Sequence, residues 1–147
     1  MPEAFRFTCP IRVRYSEVDR QGIVYYSRYL EYVDVAHTEY FRAAGYEYQE
    51  LVTRHGLDPS VVQATLEYRR PARFDDALHV HARVAAIGHT SFRMDYEIAR
   101  VQGAEPIASA QIVYVNFDIA TQTSRPIPQS IRQRIESFEG AAYPGFD

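Results

Sequence analysis

The chain has no tryptophan, a single cysteine and two methionines in 147 residues. One cysteine excludes any disulfide framework within the chain, and no Cys–His signature surrounds Cys9 to mark a catalytic thiol. Excess positive charge is missing as well. Sixteen Lys and Arg stand against 19 Asp and Glu, a net charge of −3, so no basic surface recommends a nucleic-acid partner. No apolar run approaches the length of a membrane span, and no signal peptide is visible in the sequence. These absences predict a cytoplasmic protein with neither a membrane nor a nucleic acid as partner. Repeats and low-complexity tracts are also lacking. Tyrosine, in contrast, is abundant at 12 copies, and a buried tyrosine needs a partner for its hydroxyl. A hydrophobic fraction of 46% at this length suits one domain with its own core, expected over residues 1–147. From about residue 139, Gly140-Ala141-Ala142-Tyr143-Pro144-Gly145 reads as a loose tail.

One stretch stands apart from the rest. Between Asp19 and Ala44 a loop runs into a long helical pattern, with Leu30, Val33, His37, Tyr40, Phe41 and Ala44 on one face and Glu31, Asp34, Thr38, Glu39 and Arg42 on the other. Ser27 suits the N-cap and Gly45 the stop. A helix N-terminus offers unpaired N–H groups and partial positive charge, so the carboxylate of Asp19 and the phenols of Tyr25 and Tyr26 gather beside a natural anion site. Taken by itself, Asp19 reads as a turn residue.

Every other substantial segment has the period of a strand. Phe5 to Tyr15 alternates, with Pro10 marking an edge or a bulge. A short helix is expected near Tyr48 to His55, ended by Gly56. Val62, Ala64, Leu66 and Tyr68 then predict a half-buried strand, and Leu78 to Ala86 turns at Gly88 into Phe92 to Ile98 as an antiparallel pair. Ile107 to Phe117 is apolar on both faces, as a central strand is. Ile131 and Ile135 fit a final helix after Pro128. The order of strand, long helix and four strands gives an α+β domain, a helix laid on one face of a curved sheet.

Other chemistry-bearing residues carry less. His79 and His81 project from one side of a strand, but no third metal ligand lies nearby in sequence, so a solvent-facing pair is expected. His37 and His89 read as structural. Arg69, Arg70 and Arg73 form a basic cluster beside a loop, which suits either phosphates or solvent.

The run Tyr15-Ser16-Glu17-Val18-Asp19-Arg20-Gln21-Gly22-Ile23-Val24-Tyr25-Tyr26-Ser27-Arg28-Tyr29 resembles the opening motif of the hotdog-fold acyl-CoA thioesterases. The resemblance continues through Tyr68 to Leu78, Gly88-His89-Thr90-Ser91-Phe92 and Arg125-Pro126-Ile127-Pro128, covering roughly residues 8 to 137 in matching order. It is nearest to the branch of 4-hydroxybenzoyl-CoA thioesterase and the Tol-Pal-associated thioesterase. The resemblance implies a long central helix wrapped by a curved antiparallel sheet of about five strands, and it implies subunits that assemble as a homodimer or homotetramer. It places the catalytic carboxylate on Asp19, beside Tyr26. Gly22, Tyr25, Tyr29, Tyr32, Arg70, Arg73, Thr90 and Ser91 are the expected substrate-binding positions, with no metal and no cofactor. In the 4-hydroxybenzoyl enzyme basic residues precede the Ser-Phe pair, whereas here the residues are Gly88-His89-Thr90.

The expected reaction is hydrolysis of an acyl-CoA, or acyl carrier protein, thioester with a short aliphatic or aromatic acyl group. Asp19 would serve as general base or nucleophile and helix N-terminal amides as oxyanion hole. Two alternatives are a hotdog hydratase or dehydratase, whose His-containing motif is not evident, and a non-catalytic acyl-thioester binding module.

Overall fold

The computed structural model describes residues 4–144. Six strands and three α-helices follow one another as β1 (Phe7–Arg12), α1 (Arg28–Ala43), α2 (Tyr48–Thr53), β2 (Pro59–Tyr68), β3 (Ala77–Ile87), β4 (Ser91–Arg100), β5 (Pro106–Asp118), β6 (Thr123–Ser124) and α3 (Gln129–Glu139). The sheet runs β1-β3-β4-β5-β2, with the two-residue β6 beside β5. Five principal strands and one long helix are the α+β content that the sequence predicts.

Local chemistry sets the boundaries. Helix α1 begins directly after Ser27, where the Leu30 N–H donates to the Ser27 carbonyl at 3.3 Å, and it ends before Gly45, whose φ of +107° L-residues rarely adopt. Strand β1 is shorter than its alternating pattern, because Tyr15–Glu17 closes into a 3₁₀ turn. Pro10 pairs with His79 on an edge strand, where its missing N–H costs the sheet least.

Two sequence expectations need correction. The buried face of α1 is Tyr29, Tyr32, Val33, Ala36, His37, Tyr40, Phe41 and Ala44, while Leu30 is exposed. The seam takes in tyrosines because polar partners await their hydroxyls. Strand β2, expected to be half-buried, is exposed along most of its length, with Val61 at 58% and Val62 at 61%. It is a sheet edge, whereas the run from Leu78 to Phe117 lies in the interior of the sheet.

By density of internal contacts the chain divides into two units. The first takes in the chain up to Tyr40, Leu66–Ala82 and Tyr96–Ala110. Here Phe7 meets Tyr40 edge-on at 5.8 Å, and the Tyr96 hydroxyl lies 3.4 Å from His37 Nδ1. Arg100 joins Asp76 and also donates to the Pro71 carbonyl at 2.9 Å, holding the 71–76 loop against the end of β4.

The second unit takes in Phe41–Thr65, Arg83–Asp95 and the chain from Gln111 on. Phe92 stacks on Tyr114 at 5.0 Å and meets Phe41 edge-on at 6.2 Å. After α3 ends at Gly140, residues 141–144 have no regular structure, yet the Tyr143 hydroxyl donates to the Val84 carbonyl at 2.8 Å. The remainder of the expected tail, from Gly145, lies outside the described residues.

Asn116 is fully buried in β5 and ties two loops of this unit to that strand. Its Nδ2 donates to the carbonyls of Gly56 (2.9 Å) and Pro126 (3.0 Å), and its Oδ1 accepts from the Asp58 N–H at 2.9 Å. Removing that amide loses three part-buried hydrogen bonds, each worth on the order of 0.5–1.5 kcal/mol. Asn116→Ala is therefore expected to lower unfolding free energy by about 3 kcal/mol in urea titration. A loss below about 1 kcal/mol would show that the two loops hold without it.

Candidate active site

The site loop is built between β1 and α1. Val13 is buried and exchanges backbone hydrogen bonds with the 75–76 turn, and the Arg14 N–H then donates to Glu17 Oε1 at 2.8 Å as the 3₁₀ turn closes. Val18 and Val24 bridge across a tight turn. In it the Gly22 N–H donates to the Asp19 carbonyl and the Asp19 N–H to the Ile23 carbonyl, both at 2.9 Å. Gly22 takes φ +78° with open space where a Cβ would stand, so glycine serves conformation here and not close packing.

Asp19 is half-buried. Its Oδ1 accepts the Gln21 N–H at 2.8 Å, the bond an aspartate makes in a turn. Among the described residues nothing donates to Oδ2. A groove of about 460 Å³ is lined by Tyr15, Val18, Asp19, Arg20, Gly22 and Phe74. Tyr15 and Phe74 meet edge-on at 5.5 Å across it, and both are largely exposed.

A second groove of about 280 Å³ is lined by Ile23, Val24, Tyr26, Tyr29, Tyr68, Arg69, Arg70 and Pro71. The Tyr26 carbonyl accepts from the Tyr68 hydroxyl at 2.9 Å, and among the described residues its N–H meets no acceptor. The rings of Tyr25 and Tyr26 lie 4.7 Å apart. The Tyr25 phenol is pushed up from its ordinary value, chiefly by the Tyr26 side chain and in the last place by the charge of Asp19. It therefore stays a neutral donor at physiological pH.

The expected site residues thus divide. Asp19 and Gly22 share one groove, while Tyr26, Tyr29 and Arg70 share the other. Tyr29 is 3% exposed, and its hydroxyl accepts the Ala72 N–H at 3.2 Å. Arg70 remains exposed, with Glu105 at 3.7 Å. Arg73 is exposed and bridges Ile23 through the backbone. Tyr32 is buried and lines neither groove, because its hydroxyl donates to Glu17 Oε1 at 2.9 Å. Thr90 and Ser91 belong to the second unit and line neither groove.

Sequence reasoning passed over three participants. Tyr15 and Phe74 wall the Asp19 groove, and Glu17 is buried among the residues that hold it. The available signal was Arg14 three residues before Glu17, the spacing of a helical-turn ion pair, here 2.9 Å. Burial pushes the Glu17 carboxyl upward, but bonds from the Arg14 N–H, the Tyr32 hydroxyl and the Arg14 guanidinium outweigh it and hold the group below its usual range.

The histidines lie elsewhere. His81 is 4% exposed and pairs with Thr8 Oγ1 through Nδ1 at 2.6 Å, which corrects the expectation of a solvent-facing pair with His79. Neither grouping nor spacing of His, Cys, Asp and Glu among the described residues makes a three-ligand metal site. Burial also raises the Cys9 thiol, away from the reactive thiolate.

Residues 13–135 match the family described as the Thioesterase-like superfamily. The chain belongs to that superfamily. Among curated relatives of this thioesterase-like chain, the 1,4-dihydroxy-2-naphthoyl-CoA hydrolase of Synechococcus elongatus is 25% identical over 84% of this chain and 90% of its own length. The acyl-CoA thioester hydrolase YbgC of Escherichia coli is 29% identical over 85% of this chain and 92% of its own. Among solved structures, a thioesterase from Thermus thermophilus, complexed with coenzyme A and zinc, superposes with a TM-score of 0.81 at 26% identity, covering 94% of this chain and 97% of that one. The hotdog fold expected from the sequence stands. No helix among the described residues is long and apolar enough to cross a membrane.

His37 gives a test of the scaffold beneath the site. Burial lowers its imidazole from 6.5 to about 4, so between those values the unfolded chain binds a proton that the folded chain refuses. Stability is expected to fall as pH drops from about 6.5 to about 4, by up to roughly 3 kcal/mol. Below that window the loss levels off. Guanidinium unfolding of wild type and His37→Gln across this range should give curves that converge as pH falls. Parallel curves would contradict the buried neutral imidazole.

Proposed function

We propose that this chain hydrolyses acyl-CoA thioesters to a free acid and CoA, with Asp19 as the catalytic carboxylate. The observation that carries the reading is the half-buried Asp19. One oxygen is tethered to the Gln21 N–H, the other accepts no bond among the described residues, and the residue lines an aromatic-walled groove in a thioesterase-like chain. The tether fixes orientation without consuming the second oxygen.

The chemistry asks little more of the protein. A thiol has a pKa of about 8.5, so the thiolate leaves without a dedicated general acid. In one route Asp19 takes a proton from water as the water oxygen bonds to the carbonyl carbon. The C–S bond then breaks, and the proton passes to the departing sulfur. In the other, a carboxylate oxygen attacks directly, CoA thiolate departs, and water opens the mixed anhydride. Either way negative charge builds on the carbonyl oxygen. The Tyr26 N–H, with no acceptor among the described residues, is the donor assigned to it. The neutral Tyr25 phenol stands beside it as further polar support.

The 280 Å³ groove would take the rest of the thioester, with Tyr26, Tyr29 and Tyr68 as its wall and Arg70 at its rim for phosphate. The substrate for which the Synechococcus relative is named is an aromatic acyl-CoA, and the exposed Tyr15–Phe74 pair gives such a ring a surface to pack against. A hydratase reading would place its histidine away from Asp19, since neither of these grooves is lined by one and His79 and His81 line a separate cavity of about 530 Å³.

Assembly as a homodimer or homotetramer belongs to the same reading. The exposed edge at β2 carries Val61 and Val62, and an unpaired apolar edge is a surface for a second copy. Light scattering at micromolar concentration should return at least twice the chain mass, and a monomer would contradict this assignment.

Thiol release from a panel of acyl-CoAs tests the activity, and Asp19→Asn tests the residue. Asparagine keeps the turn bond to Gln21 but can neither ionise nor attack, so kcat should fall by roughly 10² or more with a much smaller change in KM. A folded variant hydrolysing its best thioester near the wild-type rate would remove Asp19 from the mechanism.

A further inference from the structure

The segment that delivers Asp19 is fastened by a carboxylate that the thioester chemistry leaves unused. Glu17 is 3% exposed, yet its ionic partner Arg14 has a side chain 73% exposed. Oε1 accepts from the Tyr32 hydroxyl at 2.9 Å and the Arg14 N–H at 2.8 Å, and Oε2 accepts from Arg14 Nε at 2.9 Å. Burying a carboxylate against a solvated counter-ion is a weak source of stability, because desolvation cancels most of the attraction. What the arrangement supplies is direction.

Three connections converge on this residue. Its side chain is anchored to helix α1 at Tyr32, and its carbonyl accepts the Tyr25 N–H at 2.9 Å, one residue before the Tyr26 amide. Two residues further on stands Asp19. The turn from Asp19 to Gly22 fixes its own shape by internal bonds, but its aim relative to the start of the helix passes through Glu17. The far side is closed by a matching link. Tyr32 meets Tyr29 edge-on at 5.8 Å, the Tyr29 hydroxyl accepts the Ala72 N–H, and the Ala72 carbonyl accepts the Val24 N–H at 2.8 Å.

We propose that Glu17 is a positioning residue for hydrolysis, holding Asp19 and the Tyr26 amide in register through its hydrogen bond to Tyr32. This rests on the assignment of Asp19 as the catalytic carboxylate. Reacting groups held loosely lose rate steeply with small displacements, while the grooves that bind substrate are lined by neither Glu17 nor Tyr32. Loss of the link therefore acts on kcat and spares KM.

The test is a double-mutant cycle in the full chain, read by thiol release from the best acyl-CoA of the panel. Glu17→Gln sets an amide against the Arg14 guanidinium. Tyr32→Phe keeps the buried ring and removes only the hydroxyl, so it carries the test if Glu17→Gln does not fold. Each is expected to lower kcat about tenfold with KM within about twofold. In an Asp19→Asn background the further loss should be much smaller than in the wild type, because one of the two groups being held in register is already gone. Equal losses in both backgrounds, an unchanged kcat, or a loss confined to KM would overturn the proposal while leaving Asp19 in place. Failure of the Asp19 assignment shows separately, as an Asp19→Asn single variant near the wild-type rate, and it would take this proposal with it.

Discussion

Buried phenols must find polar partners, and on helix α1 that demand connects the core to the site. Tyr29 and Tyr32 lie one turn apart on the buried face, where an aliphatic seam would leave nothing to hydrogen-bond. The hydroxyl of one takes the backbone N–H of Ala72, and the other reaches the carboxylate of Glu17. Each partner lies in a loop flanking the Ile23–Val24 segment, so the helix holds the turn at Asp19 from both sides. Replacing either ring by leucine would preserve apolar burial and lose the loop. The tyrosine richness of the sequence acquires a physical purpose here, which composition alone left open.

A second consequence is economy at the reacting centre. A thioester needs neither a strong acid for its leaving group nor a metal to polarise it, so one oriented carboxylate and one backbone donor suffice. The turn bond to Gln21, which by itself marks an ordinary turn aspartate, becomes useful because it spends only Oδ1. On the proposed reading the same residue would satisfy both descriptions, and what favours the second is the groove that Asp19 lines.

The long helix and the strand order were legible because they rest on periodicity. Gly45, with its positive φ, marked the helix end, and the apolar run of Ile107 to Phe117 marked an interior strand. Where the reading failed, a tertiary partner had overridden local pattern. Leu30 looked like a core residue by hydrophobicity, but the seam at that end of the helix is set by Tyr29 and Tyr32, whose partners lie in distant loops. The alternation in β2 suggested a buried face, and an edge strand carries the same alternation without one. At the site, Asp19 and Tyr26 stood out through the family motif. Glu17 stood out less, because its spacing from Arg14 marks an ion pair but does not announce that the glutamate is buried. Tyr15 and Phe74 were missed for a similar reason, since their pairing joins segments far apart in the chain.

The central proposal is spatial, that a thioester carbonyl binds between the carboxylate of Asp19 and the amide of Tyr26. A crystal structure of the Asp19→Asn variant with an intact acyl-CoA bound tests it most directly. The account predicts the carbonyl carbon against the substituted side chain at position 19, its oxygen about 3 Å from the Tyr26 nitrogen, and the chain beyond sulfur running along the groove of Tyr29 and Tyr68. A thioester bound with its carbonyl remote from residue 19 and from the Tyr26 amide would contradict it.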